Sequence, residues 1–305
     1  MDKFNYVMRS LMFVPGHSQK LQESAAKSNA DVILLDIEDS VLPESNKQIA
    51  RDMIVKNVGN GMFKDYSVFI RINDLESGFL LDDVLQTTIP GIDGYLFSKT
   101  YTAKDIVFFD KLLMSIELKK NIPVGTFKII PILETASSII NADEIAKASS
   151  RNVAIGFGSE DFVSDLQGIR DFEMAHSIFS PRAWVAMVAR TNKMIPIDAA
   201  YIKIHDEEGL EKHCQMGRKL GYSGMWTLHP KQNDMPNRYY SPSEDEINEA
   251  YEILRLDQDA RKLGKGVAII NGKFIGPPLV VKANHVINRA KLIESKHKKD
   301  LGTID

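Results

Sequence analysis

Lys128-Ile129-Ile130-Pro131-Ile132-Leu133 is a short apolar run that closes on Glu134-Thr135 and is followed by an amphipathic stretch over 138–147. A buried strand of a parallel sheet has this character, and six residues suit a strand better than a helix. The polar pair marks the point where the chain leaves an apolar interior. The same unit recurs along the sequence: strands are predicted at 9–14, 31–37, 67–72, 94–98, 128–133, 152–157, 200–204 and 224–228, eight in all, with helix-like stretches such as 106–120 between them. Eight strand–helix units predict an α/β chain folded as a (β/α)8 TIM barrel. An open doubly wound sheet would usually place a glycine-rich phosphate loop after its first strand, whereas here that turn reads Val14-Pro15-Gly16-His17-Ser18.

The barrel domain is expected over 1–263. A lid-like extension over 264–305 follows, with a short strand at 267–270, a turn at Asn271-Gly272, a helix over 280–295 and a charged, frayed tail from Lys296. The last barrel helix is expected to begin with Ser241 as N-cap, Pro242 in its first turn and Glu244 completing a capping box. Ile247, Ala250, Tyr251 and Leu254 then repeat at helical spacing.

With 38 Lys+Arg against 41 Asp+Glu, the net charge of −3 leaves no basic field for binding nucleic acid. No apolar run is long enough to span a membrane, and the N-terminus lacks the features of a signal peptide. The single cysteine, Cys214, can form neither an intrachain disulfide nor a cysteine-based zinc site. A cytoplasmic protein is expected.

In a barrel, the C-terminal ends of the strands converge on one mouth. The predicted ends carry Asp36-Ile37-Glu38-Asp39, Arg71-Ile72-Asn73, Ser98-Lys99, Glu134-Thr135, Gly158-Ser159-Glu160-Asp161, His205-Asp206 and His229-Pro230. So many carboxylates repel one another unless a counter-charge is present, and Arg71 and a divalent cation are the two candidates. Oxygen ligands without a His or Cys cluster favour Mg²⁺, with Mn²⁺ as a substitute, over zinc. There is no G-x-S-x-G, which argues against serine hydrolase chemistry. His176, His205, His213 and His229 are isolated and read as structural, His229 least so because it closes the eighth strand.

Six segments together resemble the citrate lyase β-subunit-like, or CitE-like, branch of the HpcH/HpaI aldolase family, which includes malyl-CoA and citramalyl-CoA lyases. They are Arg9-Ser10-Leu11-Met12-Phe13-Val14-Pro15-Gly16, Leu35-Asp36-Ile37-Glu38-Asp39-Ser40, Arg71-Ile72-Asn73, Ile132-Leu133-Glu134-Thr135-Ala136, Gly158-Ser159-Glu160-Asp161-Phe162 and Leu228-His229-Pro230-Lys231-Gln232. The resemblance implies a carbon–carbon lyase acting on a coenzyme A or acyl-carrier thioester. In it, Mg²⁺ is held by Glu134 and Asp161, Glu38 and Asp39 order its waters, and Arg71 grips a substrate carboxylate. Phe13 lies against the thioester carrier, Lys20 or His17 reaches its phosphates, and the segment Gly158, Ser159 and Glu160 contributes donors to the substrate. It also implies a homotrimer or a multiple of three.

Two positions depart from the family pattern: Ser18 stands where a basic residue is common, and Gly276 stands where the lid usually carries an acid that assists proton transfer. A thioester hydrolase or a metal-dependent 2-oxo-acid aldolase on the same scaffold is the alternative these departures suggest. A non-catalytic thioester-binding protein is a third.

Overall fold

The structure, a computed structural model, describes residues 6–172, 175–262, 268–270 and 273–301. The chain divides into two compact units, Met1–Tyr240 and Ser241–Asp305. In the first, the elements run β1 (Ser10–Pro15), α1 (Gln19–Ala25), β2 (Val32–Asp36), α2 (Asn46–Gly59), β3 (Ser67–Ile72), α3 (Leu80–Thr87), β4 (Gly94–Phe97), α4 (Ala103–Lys119) and β5 (Lys128–Leu133). There follow α5 (Ala136–Ile140), α6 (Ala142–Lys147), β6 (Ala154–Phe157), α7 (Ser159–Asp165), α8 (His176–Thr191), β7 (Ile195–Asp198), α9 (Glu207–Leu220), β8 (Gly224–Thr227) and α10 (Asp234–Tyr239). The eight strands are parallel and β1 pairs with both β2 and β8, closing the barrel as the sequence predicts.

Alternation along the strands sets the axis from core to site. Side chains two apart share a face, so Val32 and Leu34 lead to Asp36, Phe69 leads to Arg71, Leu96 to Ser98, and Ile130 and Ile132 to Glu134. The apolar members of these series gather with Leu11, Ile195, Ile197 and Trp226 into one buried cluster inside the barrel. The polar members stand one step further along, at the mouth. Gly156 leaves room for the indole of Trp226: a Cβ there would lie 1.9 Å from Trp226 Cζ2. The indole N–H donates to the Phe157 carbonyl at 3.1 Å, satisfying the one polar group this plug buries. A second, larger cluster, including Ile33, Leu35, Val68, Ile70, Phe97 and Ile129, fills the layer between sheet and helices.

One strand differs from the sequence reading. The seventh is Ile195–Asp198, and 200–204 lies outside any strand. Pro196 obscures the run because proline gives a sheet no N–H, although its carbonyl still accepts from Ser223 N at 3.1 Å. His205-Asp206 is therefore no strand end. Asp206 is the N-cap of α9, accepting from Gly209 N at 2.9 Å, and the true end of β7, Asp198, is buried in an ion pair with Arg182. The stretch at 138–147 belongs to two short helices, α5 and α6, divided at Asn141.

The second unit contains α11 (Glu244–Lys262), β9 (Ala268–Ile270), β10 (Lys273–Ile275) and α12 (Pro277–Leu301). Its boundary precedes α11, the helix that the sequence reading groups with the barrel, because α11 packs on α12 through Ala250, Ala283 and Ile287. The capping box falls two residues later than expected: Ser243 N donates to Glu246 Oε2 at 2.8 Å, and Glu246 N donates to Ser243 Oγ at 3.2 Å. Residues 296–301, expected in a frayed tail, continue α12, while the expected turn at Asn271-Gly272 lies outside the described residues. β9 and β10 pair antiparallel, and the Gly276 carbonyl accepts from Leu279 N at 3.1 Å in the first turn of α12.

Candidate active site

Arg71, near the end of β3, is fixed by β2. Its Nε and Nη2 each donate to the Asp36 carboxylate at 2.7 Å, a two-pronged pairing that uses one edge of the guanidinium. Asp36 also accepts from the backbone N–H groups of Glu38 (2.9 Å) and Ser40 (3.1 Å), so it shapes the loop after β2 while holding Arg71. Burial works against its charge, but the arginine and these hydrogen bonds outweigh it and hold the Asp36 carboxyl below its ordinary range. Nη1 reaches Glu38 Oε2 at 2.9 Å and Asp39 Oδ2 at 3.1 Å. The guanidinium carbon lies 4.7 Å from the centre of the Phe13 ring, which packs 5.7 Å from Trp226. Phe13 and the indole thus form an aromatic floor beneath the arginine.

Across the mouth, Glu134 follows β5. Its Oε1 accepts from Lys99 N at 2.5 Å, while Oε2 meets no donor among the described residues. Gly158 makes space for it: a Cβ at 158 would lie 2.6 Å from Glu134 Cβ and 2.9 Å from Oε2. The Gly158 backbone, at φ −99°, is open to any residue, so the requirement there is room rather than conformation. Asp161, in the first turn of α7, is exposed and makes no ion pair among the described residues. Glu38 is buried, accepts from Ser98 Oγ at 3.1 Å and lies 3.8 Å from Lys99 Nζ.

These carboxylates share one field. Burial pushes the Glu38 carboxyl up to about 8; Arg71 opposes the rise, while Asp39, Glu134 and Asp36 add to it. For Glu134, burial raises the value to about 7, with the Lys99 N–H opposing and Asp161 adding. Asp161, though exposed, is raised by partial desolvation in the mouth and then by Asp39. Six carboxylates, Asp36, Glu38, Asp39, Asp74, Glu134 and Asp161, therefore outnumber the cations beside them among the described residues: Arg71, Lys99 and, behind the β2 loop, Lys47, whose Nζ donates to the Ile37 and Glu38 carbonyls. No cluster of three or more His, Cys, Asp or Glu side chains suited to a metal ion occurs among the described residues. Glu134 and Asp161, which feel one another's charge, with one Glu134 oxygen unengaged, fit an ion that takes hard oxygen ligands and completes its shell with water, which is the donor chemistry of Mg²⁺.

The expected residues are not equally placed. Arg71, Glu38, Asp39, Glu134 and Asp161 share the mouth, with Phe13 beneath them. Gly158 and Ser159 open α7, but Glu160 turns to Arg170, accepting from its Nε at 2.9 Å and from Ser159 Oγ at 3.0 Å. Lys20 is an exposed residue of α1, with no side-chain partner among the described residues. Ser18, at the position where a basic residue is common in the family, is the N-cap of that helix and accepts from Leu21 N at 3.4 Å. Asp36 and Lys99, though visible as polar strand ends, were not singled out from the sequence. Asp36 follows the same alternation that points Arg71 inward, so the pattern contained its signal; the conformation of Lys99 left none.

The segment 9–230 matches the HpcH/HpaI aldolase/citrate lyase family. The chain is 30% identical to the citrate lyase subunit beta of Leuconostoc mesenteroides over 289 residues, covering 95% of this chain and 94% of that protein. It is 31% identical to the L-malyl-CoA/beta-methylmalyl-CoA lyase of Cereibacter sphaeroides over 306 aligned positions, covering 94% and 96%. Among solved structures, a citrate lyase from Burkholderia xenovorans superposes with a TM-score of 0.83 at 18% identity, over 93% of this chain and 92% of that one. The protein CitE from Mycobacterium tuberculosis, solved with magnesium, acetoacetate and coenzyme A, superposes with a TM-score of 0.75 at 21% identity, over 94% and 100%. With this fold, these relatives define a barrel enzyme of the carbon–carbon lyase class. The chain belongs to the HpcH/HpaI aldolase/citrate lyase family.

Proposed function

We propose that this chain is a Mg²⁺-dependent lyase that cleaves, or in reverse forms, the C2–C3 bond of a 3-hydroxyacyl thioester of malyl, citramalyl or citryl type. The products are a shorter acyl thioester and a 2-oxo acid. The observation that carries this reading is the pair Glu134 and Asp161, unpaired with any cation among the described residues and set across the mouth from Arg71. The names of the relatives, which include malyl-CoA/beta-methylmalyl-CoA lyase, and the magnesium and coenzyme A bound to the mycobacterial CitE support it.

Glu134 and Asp161 would hold the ion, with Glu38 and Asp39 ordering water around it. When bound, Mg²⁺ supplies a Lewis acid for the hydroxyl or keto oxygen of the substrate. Arg71 takes the substrate carboxylate on the edge that carries Nη1, in place of the exposed Asp39 carboxylate, since Asp36 holds Nε and Nη2. Cleavage sends the electrons of the C2–C3 bond onto the thioester carbonyl, and the resulting enolate carbon needs a proton. With no lid acid at Gly276, Glu38, beside Arg71, would take the proton of the substrate hydroxyl as the bond breaks and then deliver it to the enolate carbon. The N–H groups that follow Gly158 are further donors to the substrate. Phe13 and Lys20 would serve the coenzyme A or acyl-carrier arm. Assembly as a homotrimer or a multiple of three, in the cytoplasm, belongs to the same proposal.

Incubation of the full chain and Mg²⁺ with malyl-, citramalyl- and citryl-thioesters should release a 2-oxo acid from at least one. Free coenzyme A with an intact hydroxy acid would instead establish a hydrolase, and turnover of substrates lacking the thioester would establish an aldolase. Silence with all of them, in both coenzyme A and acyl-carrier form, refutes the proposal.

A further inference from the structure

The segment leaving β4 ties together the two buried carboxylates of the mouth. Ser98 Oγ donates to Glu38 Oε2 at 3.1 Å, and the next residue, Lys99, gives its backbone N–H to Glu134 Oε1 at 2.5 Å. Lys99 does this with φ 48°, in the left-handed region that a β-carbon disfavours and that glycine and asparagine adopt most readily. Its side chain serves other partners. Nζ lies 2.8 Å from Asp74 Oδ2 and 3.8 Å from Glu38 Oε1, and Asp74 is itself anchored by Glu76 N on Oδ1 at 2.9 Å. Lys99 also lines a cavity of about 400 Å³ together with Asp74, Leu75, Phe97 and Tyr101, so its stem borders open space beside the mouth. A lysine in this backbone conformation, with main chain and side chain each engaging a different carboxylate of the site, has more than a turn to make.

We infer that Lys99 is a positioning residue for the reaction. Its left-handed main chain holds Glu134 in the orientation that binds the cation, and its ammonium, tethered by Asp74, holds Glu38 beside the reacting groups. This rests on the reading of Glu134 as a ligand of the ion. The first role depends on backbone conformation and the second on charge, so substitutions separate them. Lys99→Gly and Lys99→Asn remove the ammonium but keep the left-handed turn accessible, whereas β-branched Lys99→Val removes both.

Titration calorimetry with Mg²⁺ on the full chain, beside steady-state kinetics, tests both roles. Lys99→Gly and Lys99→Asn should bind Mg²⁺ within about threefold of the unsubstituted protein. Lys99→Val should bind it about tenfold more weakly or worse. In the Gly and Asn variants kcat should drop about tenfold or more with KM little changed, Asp74→Asn should share that drop, and Lys99→Arg should restore part of it. If Lys99→Val fails to fold by circular dichroism, Lys99→Ala takes its place and should bind Mg²⁺ more weakly than the Gly and Asn variants. A Val or Ala variant that binds Mg²⁺ as well as Lys99→Gly overturns the main-chain role; undiminished kcat in Lys99→Gly and Asp74→Asn overturns the side-chain role. Failure of the unsubstituted protein to bind Mg²⁺ would overturn the reading of Glu134 itself and this inference with it.

Discussion

Gly158→Ala is a single added methyl group placed against the carboxylate proposed to hold the ion. A Cβ at 158 would sit 2.6 Å from Glu134 Cβ and 3.2 Å from Ile132 Cγ2. Carbon atoms rest about 3.5–4.0 Å apart, so Glu134 must retreat by about 1 Å. The backbone at 158 accepts alanine without strain, so the whole effect comes from crowding. Overpacking of this kind costs about 1–3 kcal/mol, which corresponds to roughly 5- to 150-fold in a binding constant if the cost falls on the orientation of Glu134. A shift of about 1 Å in a reacting geometry can by itself cost about 100-fold in rate. The variant should therefore fold with a modestly lower melting temperature, lose Mg²⁺ affinity by at least about fivefold in titration calorimetry, and lose more in kcat. Unchanged Mg²⁺ affinity together with unchanged kcat would show that Glu134 has no part in the site.

Glu134→Gln should abolish measurable Mg²⁺ binding while circular dichroism reports an intact barrel; retained affinity would remove Glu134 as a ligand. Arg71→Lys preserves charge but loses the two 2.7 Å bonds to Asp36, so kcat/KM should fall by well over about tenfold, and a smaller loss would refute the role of the planar fork. Since Glu134 must shed a proton held with a pKa of about 7, Mg²⁺ binding at pH 6 should release close to one proton, declining towards zero above pH 8. Calorimetry in buffers of different ionisation enthalpy measures that release, and its absence at pH 6 would refute the assignment. Glu38 and Glu134 both have raised pKa values in the fold, so their contribution to stability is fully present below about pH 4.5 and is lost as pH rises through 7 and 8. Without Mg²⁺, the melting temperature should fall between pH 6 and pH 8.5, and saturating Mg²⁺ should offset most of that fall at the alkaline end; a metal-free protein equally stable at both pH values would contradict it.

The barrel was legible because alternation and strand–helix repetition are local properties of the sequence. Six of the seven predicted polar strand ends could be placed at one mouth because a closed parallel sheet leaves them nowhere else to go. The seventh strand was missed where Pro196 interrupts an otherwise plain apolar run, and with it Asp198, whose pairing with Arg182 depends on a helix sixteen residues away in sequence. That Arg71 has one edge occupied by Asp36 follows from the register of β2 on β3, which places those two residues side by side. Sequence order contains no such register. The departure of Glu160 towards Arg170 and the left-handed turn at Lys99 are likewise decided by tertiary neighbours rather than by residue type.

Trp226, inserted where Gly156 has no side chain, makes the barrel a cup with a stopped base. Traffic is then restricted to one entrance. On the proposed chemistry, the 2-oxo acid held at Arg71 and the thioester arm that meets Phe13 must enter and leave through the same strand-end mouth.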